Sequence, residues 1–167
     1  MNKAVLFNFL VDKENRKIRV ERSFSAPLDL VWAAWTEADI LDQWWAPKPW
    51  RAETKTMDFT VGGRWHYCMV SPEGERHWCL FDFRAIEPQK SFSGLDAFCD
   101  EQAVISNEKP RMLWHNVFDG QDDSTTVHVE ISFDDLADLE AIIQMGFKEG
   151  FTMGLENLDE YIKAHRP

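Results

Sequence analysis

The chain has 167 residues, 44% of them hydrophobic, and a formal net charge of −11. This length and apolar content are typical of one domain that buries a full core without disulfides or metals, so we expect a single domain over residues 1–167. The acidic balance repels polyanions, so neither nucleic acid nor an anionic membrane is expected as a partner.

The first predicted elements are strands and two short helices. Residues 4–11 are apolar, with Val5, Phe7, Phe9 and Val11 at alternate positions, and they lack a small-residue cleavage site, which indicates a strand and not a signal peptide. Residues 18–24 alternate too, as a second strand or as the other arm of a hairpin. Helical spacing of apolar residues then predicts short helices over residues 27–36 and 36–45, with Pro27 in the first turn.

From Trp50 onward the apolar period changes to two, which is typical of successive antiparallel strands. Pro72 and Gly74 suit a three-residue hairpin loop that pairs Ser71 with Glu75. This register puts Trp65, Tyr67, Met69, Cys79, Phe81 and Phe83 on one face, and Arg64, Arg76, Asp82 and Arg84 on the other. Further strands are expected near residues 51–59, 90–100, 112–118 and 127–133.

Residues 136–167 are predicted to form one long amphipathic helix. Its apolar stripe repeats every three or four residues and consists of Leu139, Ile143, Phe147, Phe151, Leu155, Leu158 and Ile162. Beside that stripe lie Gly146, Gly150 and Gly154, and each costs roughly 1 kcal/mol relative to alanine within a helix. We therefore expect a packed backbone or a ligand to approach that face, and Gly146 to be the point where the helix is interrupted or kinked.

An apolar helix stripe and a sheet with one apolar face bury each other. The element order therefore predicts an α+β helix-grip fold. In it, a curved antiparallel sheet of about six or seven strands wraps around a long C-terminal helix, with two short helices after the first strand.

Several segments resemble the signatures of one family. They are residues 22–27 (RSFSAP), 31–36 (VWAAWT), 44–47 (WWAP) and 57–65 (MDFTVGGRW). The chain resembles the homologues of the C-terminal domain of the heat-shock-protein ATPase activator, in the START-like superfamily of polyketide cyclases and birch-pollen-type allergens. The resemblance runs from about Ile18 to Ile162. It implies a deep cavity between sheet and helix for hydrophobic or aromatic small molecules, and no fixed catalytic set.

Two pairs of residues of the types that bind zinc face each other across the predicted hairpin. They are His66 with Cys68 on one arm, and His77 with Cys79 on the other. The register puts the first pair on the outer face and the second on the inner face, and the spacing is not that of a zinc knuckle. We therefore expect no metal and no cofactor.

Four side chains are candidates for acid–base chemistry near a cavity, namely His77, Tyr67, Asp96 and His115. Each is more typical of a structural polar group that has a hydrogen-bond partner. The chain has no nucleophile elbow and no phosphate loop, since Gly62 and Gly63 precede a strand. No catalytic residue is predicted, and these observations favour a function other than catalysis.

The favoured hypothesis is a protein that binds or carries a hydrophobic or aromatic small molecule in a cavity between the sheet and the C-terminal helix. The predicted ligand-binding residues are Trp65, Tyr67, Phe81, Phe83, Trp114, Phe147, Gly150 and Phe151. One alternative is a cyclase or hydrolase, which needs two of the four acid–base candidates within reach of one ligand atom. Another is a co-chaperone-like interaction module, which needs a surface patch.

The expected compartment is the cytoplasm. The three cysteines, Cys68, Cys79 and Cys99, are an odd number at unrelated spacings, which is typical of a reducing environment. No stretch approaches the roughly eighteen apolar residues of a membrane span.

A homodimer is predicted if the outer face of the sheet is exposed. The predicted register puts Trp78, Leu80, Val70 and Cys68 on the outer face of the sheet. The alternating residues Val5, Phe7, Phe9 and Val11 of the first strand add more apolar surface. If this surface is exposed, a two-fold dimer is the commonest way to bury it, and Trp78→Glu is expected to give a monomer.

Overall fold

The computed structural model describes residues 6–165, so Ala4 and Val5 of the first predicted strand, and Arg166 and Pro167 of the last helix, lie outside the described residues. The strands are β1 (Phe7–Asp12), β2 (Lys17–Phe24), β3 (Arg51–Met57), β4 (Arg64–Val70), β5 (Arg76–Glu87), β6 (Ser91–Cys99), β7 (Leu113–Gln121) and β8 (Ser124–Ser132). The helices are α1 (Leu28–Thr36), α2 (Ala38–Trp44), α3 (Leu136–Gln144) and α4 (Phe147–His165).

The strands form one antiparallel sheet in the order β1-β2-β8-β7-β6-β5-β4-β3, and its inner face packs against the helices. This confirms the α+β helix-grip prediction. The sheet has eight strands in place of the six or seven expected, and the two short helices follow the second strand and not the first. The opening segment takes the hairpin form that was one of its two predicted arrangements, with a turn at Asp12–Arg16 between β1 and β2. In that turn Asn15 N donates to Asp12 Oδ1, and Arg16 has a φ of 56°.

The predicted central hairpin is confirmed. Ser71 N donates to Glu75 O at 2.9 Å, and Gly74 has a φ of 88°. The register pairs Trp65 with Phe81 and Tyr67 with Cys79, as the parity of polar and aromatic residues predicted. The inner face of β4 and β5 is therefore the aromatic one.

The predicted C-terminal helix is two helices, α3 and α4, separated at Gly146. This glycine has a φ of 92°, a left-handed conformation that L side chains rarely adopt, so the interruption expected at this residue is confirmed. α3 buries Leu139 and Ile142, whereas the predicted Ile143 is half-buried. Within residues 6–165, none of the helices is long and apolar enough to cross a membrane.

The glycine face of α4 approaches another backbone at one position. A Cβ on Gly154 would lie 3.3 Å from Trp45 O and 3.4 Å from Trp44 O, at the end of α2. A Cβ on Gly150 would meet Pro47 Cγ at 3.8 Å, which is an ordinary contact. The close approach is therefore to α2 and not to the sheet, and only Gly154 takes part in it among the three glycines.

This difference predicts that alanine substitutions at two glycines of α4 affect stability differently. Gly150→Ala is expected to raise the free energy of unfolding by about 1 kcal/mol, because alanine is the better helix former and the site has room. Gly154→Ala is expected to give no such gain, because its methyl group presses on two carbonyl oxygens. Urea unfolding of both variants measures the difference. Equal stabilisation by both substitutions would contradict this account.

The outer face of β4 and β5 is not an exposed apolar patch, so this basis of the dimer prediction was wrong. Leu80, Cys68 and Val70 are at most 1% exposed, and Trp78 is half-buried. Residues 100–106, here called the cover segment, fold back over part of this face. His66 Nε2 lies 3.0 Å from Asp100 O, Lys55 Nζ donates to Glu101 O, and Cys99 bridges to Ile105.

Candidate functional site

A small void lies inside the molecule, between the inner face of the sheet and helices α1 and α2. Its volume is about 20 Å³. The lining residues are Trp35, Leu41, Trp45, Met57, Trp65, Phe81, Phe83, Phe92, Trp114 and Asn116, and the space they enclose is called the aromatic void below. Since this volume holds about one water molecule, the interior is far more filled than the deep cavity implied by the resemblance.

Aromatic rings fill the rest of the interior. Trp45 lies at the centre, with its ring 5.6 Å from Trp65, 5.8 Å from Trp114 and 6.1 Å from Phe151. Most of these contacts are tilted or edge-on, which is the geometry that aromatic pairs prefer. The wall is thus built of rings whose faces and edges can accept another aromatic group.

Two polar atoms in this wall have no hydrogen-bond partner among the described residues. They are Trp35 Nε1 and Asn116 Oδ1, on side chains of residues that are 4% and 1% exposed. A buried polar group without a partner costs about 1 to 3 kcal/mol, so such atoms are rare in folded proteins. Both of these residues line the aromatic void.

The neighbouring indole N–H groups are paired, which sets Trp35 apart. Trp44 Nε1 donates to Ala34 O at 2.8 Å, and Trp45 Nε1 donates to Tyr67 Oη at 2.9 Å. The indoles of Trp65 and Trp114 donate to Thr54 Oγ1 and Asp96 Oδ2, each at 2.9 Å. The fold therefore satisfies its buried indoles in general and leaves one unpaired at the void.

The predicted ligand-binding residues fall into three groups. Trp65, Phe81, Phe83 and Trp114 line the aromatic void. Tyr67 stacks on Trp65 at 4.0 Å, while Phe147 and Phe151 pack against Trp114 at 6.0 and 5.6 Å, behind the lining. Gly150 lies away from the void and faces Pro47.

The prediction missed six lining residues, namely Trp35, Leu41, Trp45, Met57, Phe92 and Asn116. Asn116 could have been found, because it alternates with Trp114 and Phe118 along β7 and so shares their inward face. For Trp35 and Trp45 the sequence carries no comparable signal, because the direction of a helix side chain depends on how the helix docks.

The four acid–base candidates do not meet at one point. His77 and His115 are exposed, and only Tyr67 and Asp96 lie on the inner face. His77 shares the parity of that face, but it stands near the end of β5, where Trp50 is its ring neighbour at 5.0 Å. A shared catalytic position for the four residues is therefore not formed.

Asp96 is the inner carboxyl group. Its Oδ1 accepts from Met112 N at 2.7 Å, and its Oδ2 accepts from Trp114 Nε1 at 2.9 Å. Burial raises the pKa of Asp96 from 3.8 to about 7, and these two hydrogen bonds offset only part of that rise. Nearby, burial raises the pKa of Cys79 to about 12 and that of Tyr67 well above its usual value. The interior disfavours charge.

The chain matches one family model over residues 25–163, described as Activator of Hsp90 ATPase homolog 1-like protein. No match was found among curated proteins.

Solved structures share the fold over nearly the whole chain. Protein Ms6760 from Mycobacterium smegmatis superposes with a TM-score of 0.87 at 24% identity, covering 98% of this chain and 100% of that one. A protein from Arthrobacter aurescens gives 0.86 at 26% identity, covering 91% and 88%. The AHSA1 protein from Silicibacter pomeroyi gives 0.72 at 19% identity, covering 90% and 99%.

Proposed function

This chain belongs to the family of Activator of Hsp90 ATPase homolog 1-like proteins, within the START-like superfamily, and from that membership we propose that it binds a hydrophobic or aromatic small molecule at the aromatic void. The sequence predicted such binding between the sheet and the C-terminal helix. The aromatic void lies instead beside α1 and α2, and none of its lining residues belongs to α4. The cytoplasmic location predicted from the cysteines stays part of this proposal.

One observation carries the proposal. Two of the residues that line the aromatic void carry a buried polar atom without a partner among the described residues, namely Trp35 Nε1 and Asn116 Oδ1. A site that only stabilised the fold would gain from pairing these atoms or replacing them by apolar groups. An apolar pocket with a few convergent polar groups is the usual form of a small-molecule site.

A ligand larger than water requires one wall of the aromatic void to move. Eight of the ten lining residues are buried, and Met57 and Trp45 are half-buried. Met57 ends β3, which pairs with β4 alone at the edge of the sheet and has a register shift between Thr54 and Thr56. A flexible thioether on an edge strand is the part of this wall that can give way at least cost.

The proposal predicts that an apolar fluorescent dye binds the folded protein in a one-to-one ratio and quenches its tryptophan emission. Leu41→Phe is expected to abolish this signal, because the larger side chain fills the aromatic void. The matched control is Leu136→Phe on the exposed start of α3, which should keep full binding. Fluorescence titration and native mass spectrometry measure the dye signal and the ratio. Equal binding of the dye by both variants would contradict the proposal.

The geometry favours this function over the two alternatives. A cyclase or hydrolase needs two acid–base groups at one ligand atom, and neither Tyr67 nor Asp96 lines the aromatic void. An interaction module needs a contiguous apolar patch, and the two most exposed large apolar residues among those described, Val61 and Val104, lie in different loops.

A further inference from the structure

We propose that the ligand carries a neutral hydroxyl group, held between Trp35 Nε1 and Asn116 Oδ1, so that the class recognised is that of phenols and other aromatic alcohols. This inference rests on the proposed function and adds to it the chemistry of the group that is bound.

The two unpaired atoms have opposite hydrogen-bonding roles. An indole N–H only donates, and an amide carbonyl oxygen only accepts. Apart from a water molecule, for which the void has room, a hydroxyl group is the smallest group that meets both, because its oxygen accepts from Trp35 Nε1 and its proton is donated to Asn116 Oδ1. An ether or a ketone leaves Asn116 unpaired, and a hydrocarbon leaves both atoms unpaired.

The surroundings exclude a charged group. None of the ten lining residues is ionisable in the physiological range, and eight of them are aromatic or aliphatic residues that are buried or packed against the core. A carboxylate or an ammonium ion would lose its hydration there and find no opposite charge. Asp96, one strand away from Trp114, shows the size of this penalty in the same interior, because burial holds its pKa near 7.

The rest of the ligand must be flat and apolar. Trp45, Trp65 and Trp114 present faces and edges around the aromatic void at ring separations of 5.6 to 5.8 Å. An aromatic ring inserted beside them makes the same offset and edge-on contacts that these rings already make with one another. Displacement of the Met57 side chain supplies the extra room.

The test is a matched series of small aromatic compounds that compete with the bound dye. Phenol, toluene, anisole, acetophenone and benzoate differ in a single substituent. Phenol is expected to displace the dye at about tenfold lower concentration than toluene, since two hydrogen bonds to buried partners are gained. Anisole and acetophenone should fall between these two compounds, and benzoate should not compete.

Two variants test the assigned partners separately. Trp35→Phe removes the donor, and Asn116→Leu removes the acceptor at similar volume, so each is expected to reduce the preference for phenol over toluene to about twofold or less. The control variants are Trp50→Phe, which removes an indole outside the aromatic void, and His115→Leu, on the exposed face of the same strand as Asn116. Both should keep the wild-type preference.

The outcomes separate this inference from the proposed function. Toluene that competes as well as phenol, or a phenol preference that survives both variants, would overturn the hydroxyl assignment while binding at the void stands. Acetophenone or benzoate as the best competitor would overturn it as well. A wild-type protein that binds neither the dye nor any compound of the series would overturn the proposed function itself, and with it the inference.

Discussion

Raising the pH from about 4 to about 8 is expected to lower the free energy of unfolding by roughly 2 to 4 kcal/mol through Asp96 alone. Burial raises the pKa of this carboxyl from 3.8 to about 7, so the folded protein holds the proton where the unfolded chain has lost it. The folded state binds more protons in this window, and stability therefore falls as the pH rises through it. Above about pH 8 the carboxyl is ionised in both states, and its contribution becomes constant.

The measurement is urea unfolding at several pH values between 4 and 8 for the wild type and Asp96→Asn. The variant is expected to lose the slope that Asp96 causes, whatever its absolute stability, because the amide does not titrate. Asp82→Asn is the control. Burial favours a higher pKa for Asp82, but hydrogen bonds from Arg64 and Arg111 lower it overall, so its titration affects stability only at more acidic pH. An unchanged slope in Asp96→Asn would refute the assignment.

Leu80→Ala is expected to lower the free energy of unfolding by about 2 to 5 kcal/mol. Leu80 is fully buried between its strand partners His66 and Ala97, on the face that the cover segment closes. Removing its side chain leaves a cavity that the paired strands on either side cannot collapse to fill. The apparent mass in light scattering is expected to stay unchanged, because this residue is covered within the chain and not by a second copy.

The matched control for Leu80→Ala is Val104→Ala, at an exposed position within the cover segment. Val104 is 63% exposed, so its truncation is expected to change stability by less than about 0.5 kcal/mol. Urea midpoints and light scattering are measured on both variants. If the Leu80→Ala protein had wild-type stability and half the wild-type mass, the result would place Leu80 in a dimer interface. That outcome would contradict its burial within a single chain.

Part of the candidate site was predictable because strands alternate. Parity along β4 and β5 placed Trp65, Phe81 and Phe83 on one inward face, and the hairpin turn set their register. The same rule places Asn116 beside Trp114, although a polar residue among apolar ones was not recognised as part of the wall. Whether its carbonyl oxygen has a partner depends on residues distant in sequence, and no local pattern contains that information.

The local structure of this protein could be predicted from its sequence: the central hairpin and its register, the short helices, and the interruption at Gly146. These features depend on turn residues and on the period of apolar side chains, which act over a few positions. How the surfaces are covered depends on the tertiary structure. Residues 100–106 contact His66 and Lys55 beside the outer face, and the packed rings of the interior leave a void of about 20 Å³. Both results depend on how separate elements dock and fill space, which is a property of the assembled volume and not of any segment.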